Sequence, residues 1–101
     1  MKSIQLSASN NILYVAGSEA TRSMDIKDVS VNYWPASGKP IVLTVLDEKD
    51  IPIYTTELRR EQATKDGTIE IGERFVFYDH LSVQLKTQNA DDSFSLTLNF
   101  E

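Results

Sequence analysis

The sequence has no cysteine and a single histidine, His80. Without cysteine no disulfide can form, and zinc sites that need cysteine ligands are excluded as well. This composition suits the cytosol, or an assembly that matures there, better than a small secreted scaffold. His80 follows Asp79 but has no second histidine with which to complete a metal site, so we interpret it as a turn residue.

Glycine-rich loops and long apolar runs are missing too. The four glycines stand singly, so no loop of the phosphate-cradling kind is present. No segment approaches the roughly 18 apolar residues of a membrane span, and residues 1–6 lack the apolar stretch of a signal peptide. No nucleophile elbow occurs. These absences predict a non-enzymatic chain without a transition metal, nucleotide or other cofactor.

Acidic residues outnumber basic ones by fifteen to ten, for a net charge of −5. A phosphate backbone repels such a surface, so we expect no nucleic-acid partner, and without a membrane span we expect no membrane partner. None of the acidic groups has the ligand spacing of an EF-hand loop, and in turns such residues bond the local backbone. The candidate groups for calcium are Asp25/Asp28, Asp47/Glu48/Asp50 and Asp91/Asp92, of which the middle group is the strongest candidate.

Alternation of apolar and polar residues is the strongest pattern present. Residues 81–86 and 94–101 both alternate, and a polar segment, 88–93, joins them. Successive side chains of a strand point to opposite faces, so each segment has one apolar face. The pattern predicts an antiparallel hairpin lying over the core.

A second hairpin is predicted from Ile41–Leu46 and residues 51–56, which flank a polar turn. Pro52 cannot donate to a sheet ladder, so its strand is expected at a sheet edge or an irregularity. Residues 12–16 are apolar throughout, as expected of a short strand covered on both sides. Residues 57–65 have few apolar side chains and are expected to form a loop with at most one helical turn.

The remaining strands are shorter or interrupted. Val29 and Val31 begin an alternation that places Tyr33 in the core and Trp34 on the opposite face. Further along the chain, residues 68–71 and 74–78 are predicted to form two strands separated by Gly72-Glu73.

Together these segments predict one domain, residues 1–101, of the all-β class. Seven to nine short strands at this spacing favour an antiparallel β-sandwich, either immunoglobulin-like or a jelly roll. The expected core contains Val29, Val31, Leu43, Val45, Val83, Leu85, Phe94, Leu96 and Leu98.

Four aromatic residues are candidate partner contacts, since aromatic side chains dominate interface hot spots. Trp34 either seals the end of the sandwich or anchors a partner. The 74–78 strand is aromatic and carries no proline to guard an exposed edge. The candidates are Trp34, Phe75, Phe77 and Tyr78, and the alternative is that they complete the core of a plain monomer.

Two resemblances follow from these segments. IVLTVLDEKDIPIY, residues 41–54, resembles a strand pair of immunoglobulin-like sandwiches, in which an apolar strand ends in an Asp-containing turn and a strand with proline follows. The whole chain resembles the small all-β accessory proteins of tailed-phage virions in its size, its lack of cysteine, its acidic balance and its alternating strands from Phe75 to Phe100. That resemblance implies a decoration, cementing or connector subunit on a symmetric protein shell.

The sequence therefore leaves two candidate functions. The first is a structural virion subunit that contacts a protein partner or shell, with homo-oligomers possible, and that is assembled in the host cytoplasm. The second is a carbohydrate-binding β-sandwich module, in which a sugar stacks on Trp34. A small chain without a secretion signal or an attached catalytic domain favours the first function. We expect such a chain in a virion or, as the alternative, in the cytoplasm.

Overall fold

The computed structural model describes residues 2–19, 22–89 and 92–101. It shows eight β-strands in two four-stranded antiparallel sheets, with strand orders β1-β8-β3-β6 and β2-β7-β4-β5. The predicted all-β sandwich of seven to nine strands is confirmed. The strands are β1 Lys2–Ser7, β2 Ile12–Ala16, β3 Ser23–Tyr33, β4 Ile41–Leu46, β5 Pro52–Leu58, β6 Thr68–Val76, β7 His80–Thr87 and β8 Ser95–Phe100, and a 3-10 turn spans Arg60–Gln62.

The core lies between the apolar faces of the two sheets. In the first sheet, Leu6, Leu96 and Val31 form one cross-strand row, and all three are at most 5% exposed. In the second sheet, Leu43 pairs with Leu85 in the same way. All nine predicted core residues are buried, which confirms that period-two alternation identified the inner faces.

The predicted terminal hairpin is wrong. β7 lies in the second sheet, between β2 and β4, whereas β8 lies in the first sheet, between β1 and β3. The two strands therefore belong to opposite sheets and are not hydrogen-bonded neighbours. Alternation shows that a strand has one apolar face, but that face is buried equally well beside a neighbour or across a sandwich.

The predicted burial of Tyr33 is also wrong, because β3 is bulged. Val31 pairs with Leu96 and Tyr33 pairs with Ser95, so Asn32 is an extra residue in the ladder. An extra residue reverses the inside-outside alternation beyond it. Tyr33 is consequently 56% exposed.

A related irregularity joins the two strands predicted at 68–71 and 74–78. β6 is continuous, and its ladder with β3 shifts between Ile26 and Asp28. Gly72, with φ 63°, supplies the left-handed conformation at this point of β6. Glycine here marks a bulge and not the end of a strand.

The edge strands test two further expectations. β5 is an edge strand, and its ladder shifts beside Pro52, as predicted. β2 is an edge strand as well, and its outward Ile12 and Tyr14 are 51% and 59% exposed. The prediction that β2 is covered on both sides is therefore wrong, since only its inward side chains pack on the core. Among the described residues, no helix is long and apolar enough to cross a membrane.

Candidate functional site

A cleft of about 220 Å³ opens beside Trp34 at the end of the sandwich where β4 begins and β5 finishes. We call this end the cleft end. The indole is half-buried and packs against the hydrophobic core. The Trp34 cleft is lined by Trp34, Pro35, Gly38, Lys39, Pro40, Arg59, Arg60 and Glu61.

Two chain reversals build the walls of this cleft. On one side, the Gly38 amide donates to the Pro35 carbonyl oxygen at 3.1 Å, closing a turn that leads to the buried Pro40. On the other side, β5 ends at the fully buried Leu58, and the chain folds into the 3-10 turn. Because Leu58 is anchored in the core, the two arginines that follow it are held at the cleft.

A second, more open cleft of about 300 Å³ is also lined by Trp34. Trp34 and Arg60 form part of the walls of both clefts. Gly67 closes this second cleft, where its carbonyl oxygen accepts a hydrogen bond from the Val31 amide at 2.8 Å. Trp34 therefore contributes to two concave surfaces at the cleft end.

Positive charge gathers at these clefts although the chain is acidic. Four of the ten lysines and arginines line them: Lys39, Arg59, Arg60 and Lys65. Arg59 donates to Glu57 at 2.8 Å, and that hydrogen bond, together with the Glu57 charge, raises the pKa of the Arg59 guanidinium. Among the described residues, no carboxylate forms an ion pair with Lys39, Arg60 or Lys65.

The four aromatic candidates have different environments. Phe75 and Phe77 are 8% and 3% exposed, and the Phe75 ring packs 5.5 Å from the ring of Tyr54. Because both rings face the core, they present little surface to a partner, unlike the exposed contacts that the sequence predicted. Tyr78 is 76% exposed, with the Arg22 guanidinium 5.9 Å from its ring centroid.

Trp34 and Tyr78 lie at opposite ends of the sandwich. The opposite end, which we call the tip end, is where β4 finishes and β5 begins, and residues 47–53 form its tip. Ser82 of β7 pairs with Leu46, and Tyr14 pairs with Ser82, which places Tyr14 at this end. Five of the seven large exposed hydrophobic side chains among the described residues lie here: Tyr14, Ile51, Ile53, Val76 and Tyr78.

Apart from Tyr33 and Val76 at the ends of their strands, the outer face of the first sheet is polar by contrast. Ser3 donates to Asn99 at 2.6 Å, and Asn99 in turn donates to Asp28 across β1, β8 and β3. Ser30 and Thr68 share a hydrogen bond of 3.2 Å between β3 and β6. Side chains already bonded to one another gain little from a new partner, so this face is a poor docking surface.

Among the acidic groups that are candidates for calcium, Asp47 bonds the local backbone, whereas Asp25, Asp28 and Asp92 contact side chains from other parts of the chain. Both the Lys49 and Ile51 amides donate to Asp47 Oδ1 at 2.9 Å, as expected for a turn aspartate. Asp92 accepts from Ser37, and Asp91 lies outside the described residues. Among the described residues, no group of three or more carboxylates, histidines or cysteines could hold a metal ion.

His80 is part of the tip end. Its Nδ1 lies 2.8 Å from Asp79 Oδ2, and its ring stacks on Tyr14 with centroids 4.9 Å apart. The nearby Gly17 amide donates to the Asp79 carbonyl oxygen at 2.7 Å. These contacts fix the chain reversal before β7, and His80 itself is the first residue of that strand, paired with Ala16, and not a turn residue as the sequence predicted.

Sequence reasoning identified Trp34 and Tyr78 but missed the basic residues and the tip. The basic residues lie about twenty positions apart in the sequence, and only the β4–β5 pairing brings them together. The exposed isoleucines could have been found, since the tip sequence DEKDIPI combines a turn with apolar residues beside a proline. A strand interrupted by proline at a sheet edge leaves such side chains outside the regular ladder.

No protein-family model and no curated protein matches the sequence. Solved structures match the fold. The core of Drosophila NLP, whose structure concerns pentamer formation and histone binding, is 14% identical, with a TM-score of 0.61 over 99% of this chain and 96% of that one. The pre-peptidase C-terminal domain of a Bacillus anthracis collagenase is 13% identical, with a TM-score of 0.52 over 99% and 88%. At such identities the likeness shows the sandwich fold alone.

Proposed function

We propose that this chain is a non-enzymatic structural subunit that acts through protein–protein contacts. The concentration of five large exposed hydrophobic side chains at the tip end carries this proposal. Exposed apolar side chains that gather on one part of a small domain mark an interaction site, and tyrosine is favoured in interface hot spots. The tip end, where most of these side chains lie, is therefore better suited to a partner than the polar first sheet.

The finer proposal is a decoration, cementing or connector subunit on a symmetric protein shell, assembled in the host cytoplasm as part of a virion. General properties of the sequence support it: the chain is small, acidic and free of cysteine, and its strands alternate apolar and polar residues. The pentamer of Drosophila NLP, which shares this fold, agrees with the use of such a sandwich in symmetric assemblies. An acidic surface also disfavours indiscriminate association, so contacts depend on local shape and a few apolar anchors.

Substitution of Tyr78 by alanine tests this function. Tyr78 is 76% exposed, so the substitution spares the core, and we expect it to weaken self-association or shell binding by about tenfold or more. Light scattering over a concentration series measures the association. Tyr33→Ala is the matched control, because Tyr33 is similarly exposed but lines neither cleft and lies away from the tip end.

Trp34→Ala is the companion variant at the other end. Weaker association with an unchanged melting temperature identifies Trp34 as an anchor, whereas unfolding identifies it as a core residue. The proposed function is refuted by a protein that stays monomeric at high concentration and whose partner binding survives both Trp34→Ala and Tyr78→Ala.

A carbohydrate-binding module is the second candidate, and the open cleft beside Trp34 favours it. Sugars stack on indole rings, and the basic lining would select an acidic sugar. Trp34 is the only tryptophan, so the protein's tryptophan fluorescence reports on the two clefts that this residue lines. A saturable fluorescence change on titration with an acidic oligosaccharide, lost in Arg60→Glu, would establish this function instead.

A further inference from the structure

We propose that copies of this chain associate head to tail, with the tip of one copy, residues 47–53, inserted into the Trp34 cleft of the next. This inference rests on the proposed function, because it names the partner as a second copy and assigns the contact. Four observations support it: position, charge, apolar surface and the rigidity of the tip.

The first observation is position. β4 runs from the cleft end at Ile41 to the tip end at Leu46, and β5 returns to Leu58 beside the cleft. A strand of six residues separates the two surfaces by about 20 Å. The tip cannot reach the cleft of its own chain, so any contact between them joins two copies.

The second observation is charge. Three cations and one carboxylate line the Trp34 cleft, namely Lys39, Arg59, Arg60 and Glu61. Since Arg59 is already paired with Glu57, Lys39 and Arg60 supply the charge for a partner. The tip has the reverse composition, three carboxylates and one ammonium: Asp47, Glu48, Asp50 and Lys49. Because the whole chain carries −5, a basic cleft on one copy is the surface that attracts an acidic tip on another.

The third observation is apolar surface. Ile51 and Ile53, beside the acidic residues of the tip, are 52% and 46% exposed. In the cleft, the half-buried indole of Trp34 supplies the apolar surface, because Pro35 and Pro40 are themselves buried. Inserting the isoleucines against Trp34 removes apolar surface from water on both copies, which supplies the attraction that charge alone does not.

The fourth observation is that the tip is already ordered. Asp47 Oδ1 accepts from the Lys49 and Ile51 amides, and the Asp47 amide donates to the Ile51 carbonyl oxygen at 3.0 Å. A rigid tip loses little conformational entropy on binding. Asp47 is used inside the turn, and among the described residues Glu48 and Asp50 form no ion pair, so these two are left for a partner.

The contact has a consequence for symmetry. In the head-to-tail arrangement the interface is heterologous and each copy uses both ends, whereas two antiparallel copies that exchanged tips reciprocally would form an isologous pair. The heterologous interface closes into a ring when its rotation permits and otherwise propagates as a filament. The head-to-tail proposal thus predicts a ring or a filament and not a pair related by a two-fold axis.

A charge swap tests the proposal. Arg60→Glu and Glu48→Lys each place like charges in the contact, and each alone is expected to weaken association by about tenfold or more. Mixing the two variants is expected to restore association, because every contact then joins opposite charges. Asp50 is unsuited to this test, since its φ of 60° would strain a lysine.

Two control variants match the changes in net charge. Lys86→Glu and Glu70→Lys alter exposed residues outside the cleft and the tip, and both are expected to associate like the wild type. Trp34 fluorescence gives a second measurement. A synthetic peptide of residues 46–53 is expected to change the emission and to dissolve the assembly, whereas the same peptide with Glu48→Lys is not.

Each contrary outcome has a distinct meaning. Association that survives both single variants, or that mixing does not restore, overturns the tip-to-cleft contact and leaves the proposed function standing. A wild-type chain that is monomeric at about 1 mM also overturns it, and the proposed function is then decided by the Tyr78→Ala binding test. A cleft that binds an acidic sugar but not the peptide assigns this surface to carbohydrate.

Discussion

Replacing Leu96 by alanine is expected to lower the free energy of unfolding by about 2–5 kcal/mol. Leu96 is fully buried, on an inner strand of the first sheet, between Leu6 of β1 and Val31 of β3. Neighbouring strands on both sides restrict collapse into the space that the leucine leaves, so a cavity remains and adds to the lost transfer free energy. Urea denaturation followed by circular dichroism measures the change.

Ile12→Ala is the control for this prediction. It removes an aliphatic side chain of the same size from a strand edge where that side chain is 51% exposed, so we expect a loss of under about 1 kcal/mol. The slope of the unfolding curve should be the same for both variants and the wild type. Equal losses at the two positions would show that Leu96 is not packed between the sheets.

The core was predictable because burial in a sandwich has a short sequence period. Leu43 and Val45 on β4, and Leu96 and Leu98 on β8, follow strict alternation, and each is fully buried. Register along a strand is fixed by its apolar face, since a shift of one residue would expose the whole set. Local pattern therefore determines which side of a strand is inside.

Pairing between strands was less predictable. β7 and β8 are consecutive and apolar on one face, and a hairpin and a crossing between sheets bury those faces equally well. The difference lies in the connection between them, whose polar residues, 88–93, suit either path. By contrast, β4 and β5 are joined by a short turn that Asp47 closes, and that hairpin was predicted correctly.

Bulges explain the errors within single strands. Asn32 adds one residue to β3, and the alternation that predicted a buried Tyr33 is correct only up to that point. Gly72 interrupts the pattern of β6 without ending the strand. In a single sequence a bulge and a strand end look alike, because both break the period and both favour glycine or asparagine.

The candidate site was predictable only in part for a related reason. Trp34 stands out as the single tryptophan, followed by a proline that ends its strand. The basic residues around it come from two chain reversals, and Arg59 and Arg60 look like ordinary surface charges in the sequence. Their joint role depends on where β5 ends, which Leu58 determines by its burial in the core.

The second large effect is expected at Gly67, where alanine should cost about 2–5 kcal/mol. Gly67 has φ +78°, a conformation that strains any residue with a β-carbon. In addition, a β-carbon there would lie 2.5 Å from the Val31 carbonyl oxygen, in the strand that Gly67 itself binds through its own carbonyl. Backbone cannot move aside as a flexible side chain can, so the two costs add.

Two other glycines separate these costs. Gly38 has the same φ of +78° with nothing within 4 Å of a β-carbon, so Gly38→Ala carries the conformational cost alone, about 1–2 kcal/mol. Gly17 lacks a positive φ, but its β-carbon would lie 2.5 Å from the Tyr78 carbonyl oxygen, so Gly17→Ala carries the steric cost alone, about 1–3 kcal/mol. The loss in Gly67→Ala should approach the sum of the other two, as measured by urea denaturation. A loss no larger than that of Gly38→Ala would mean that the 64–67 turn moves away from β3, and the close approach to Val31 would then be no constraint on the fold.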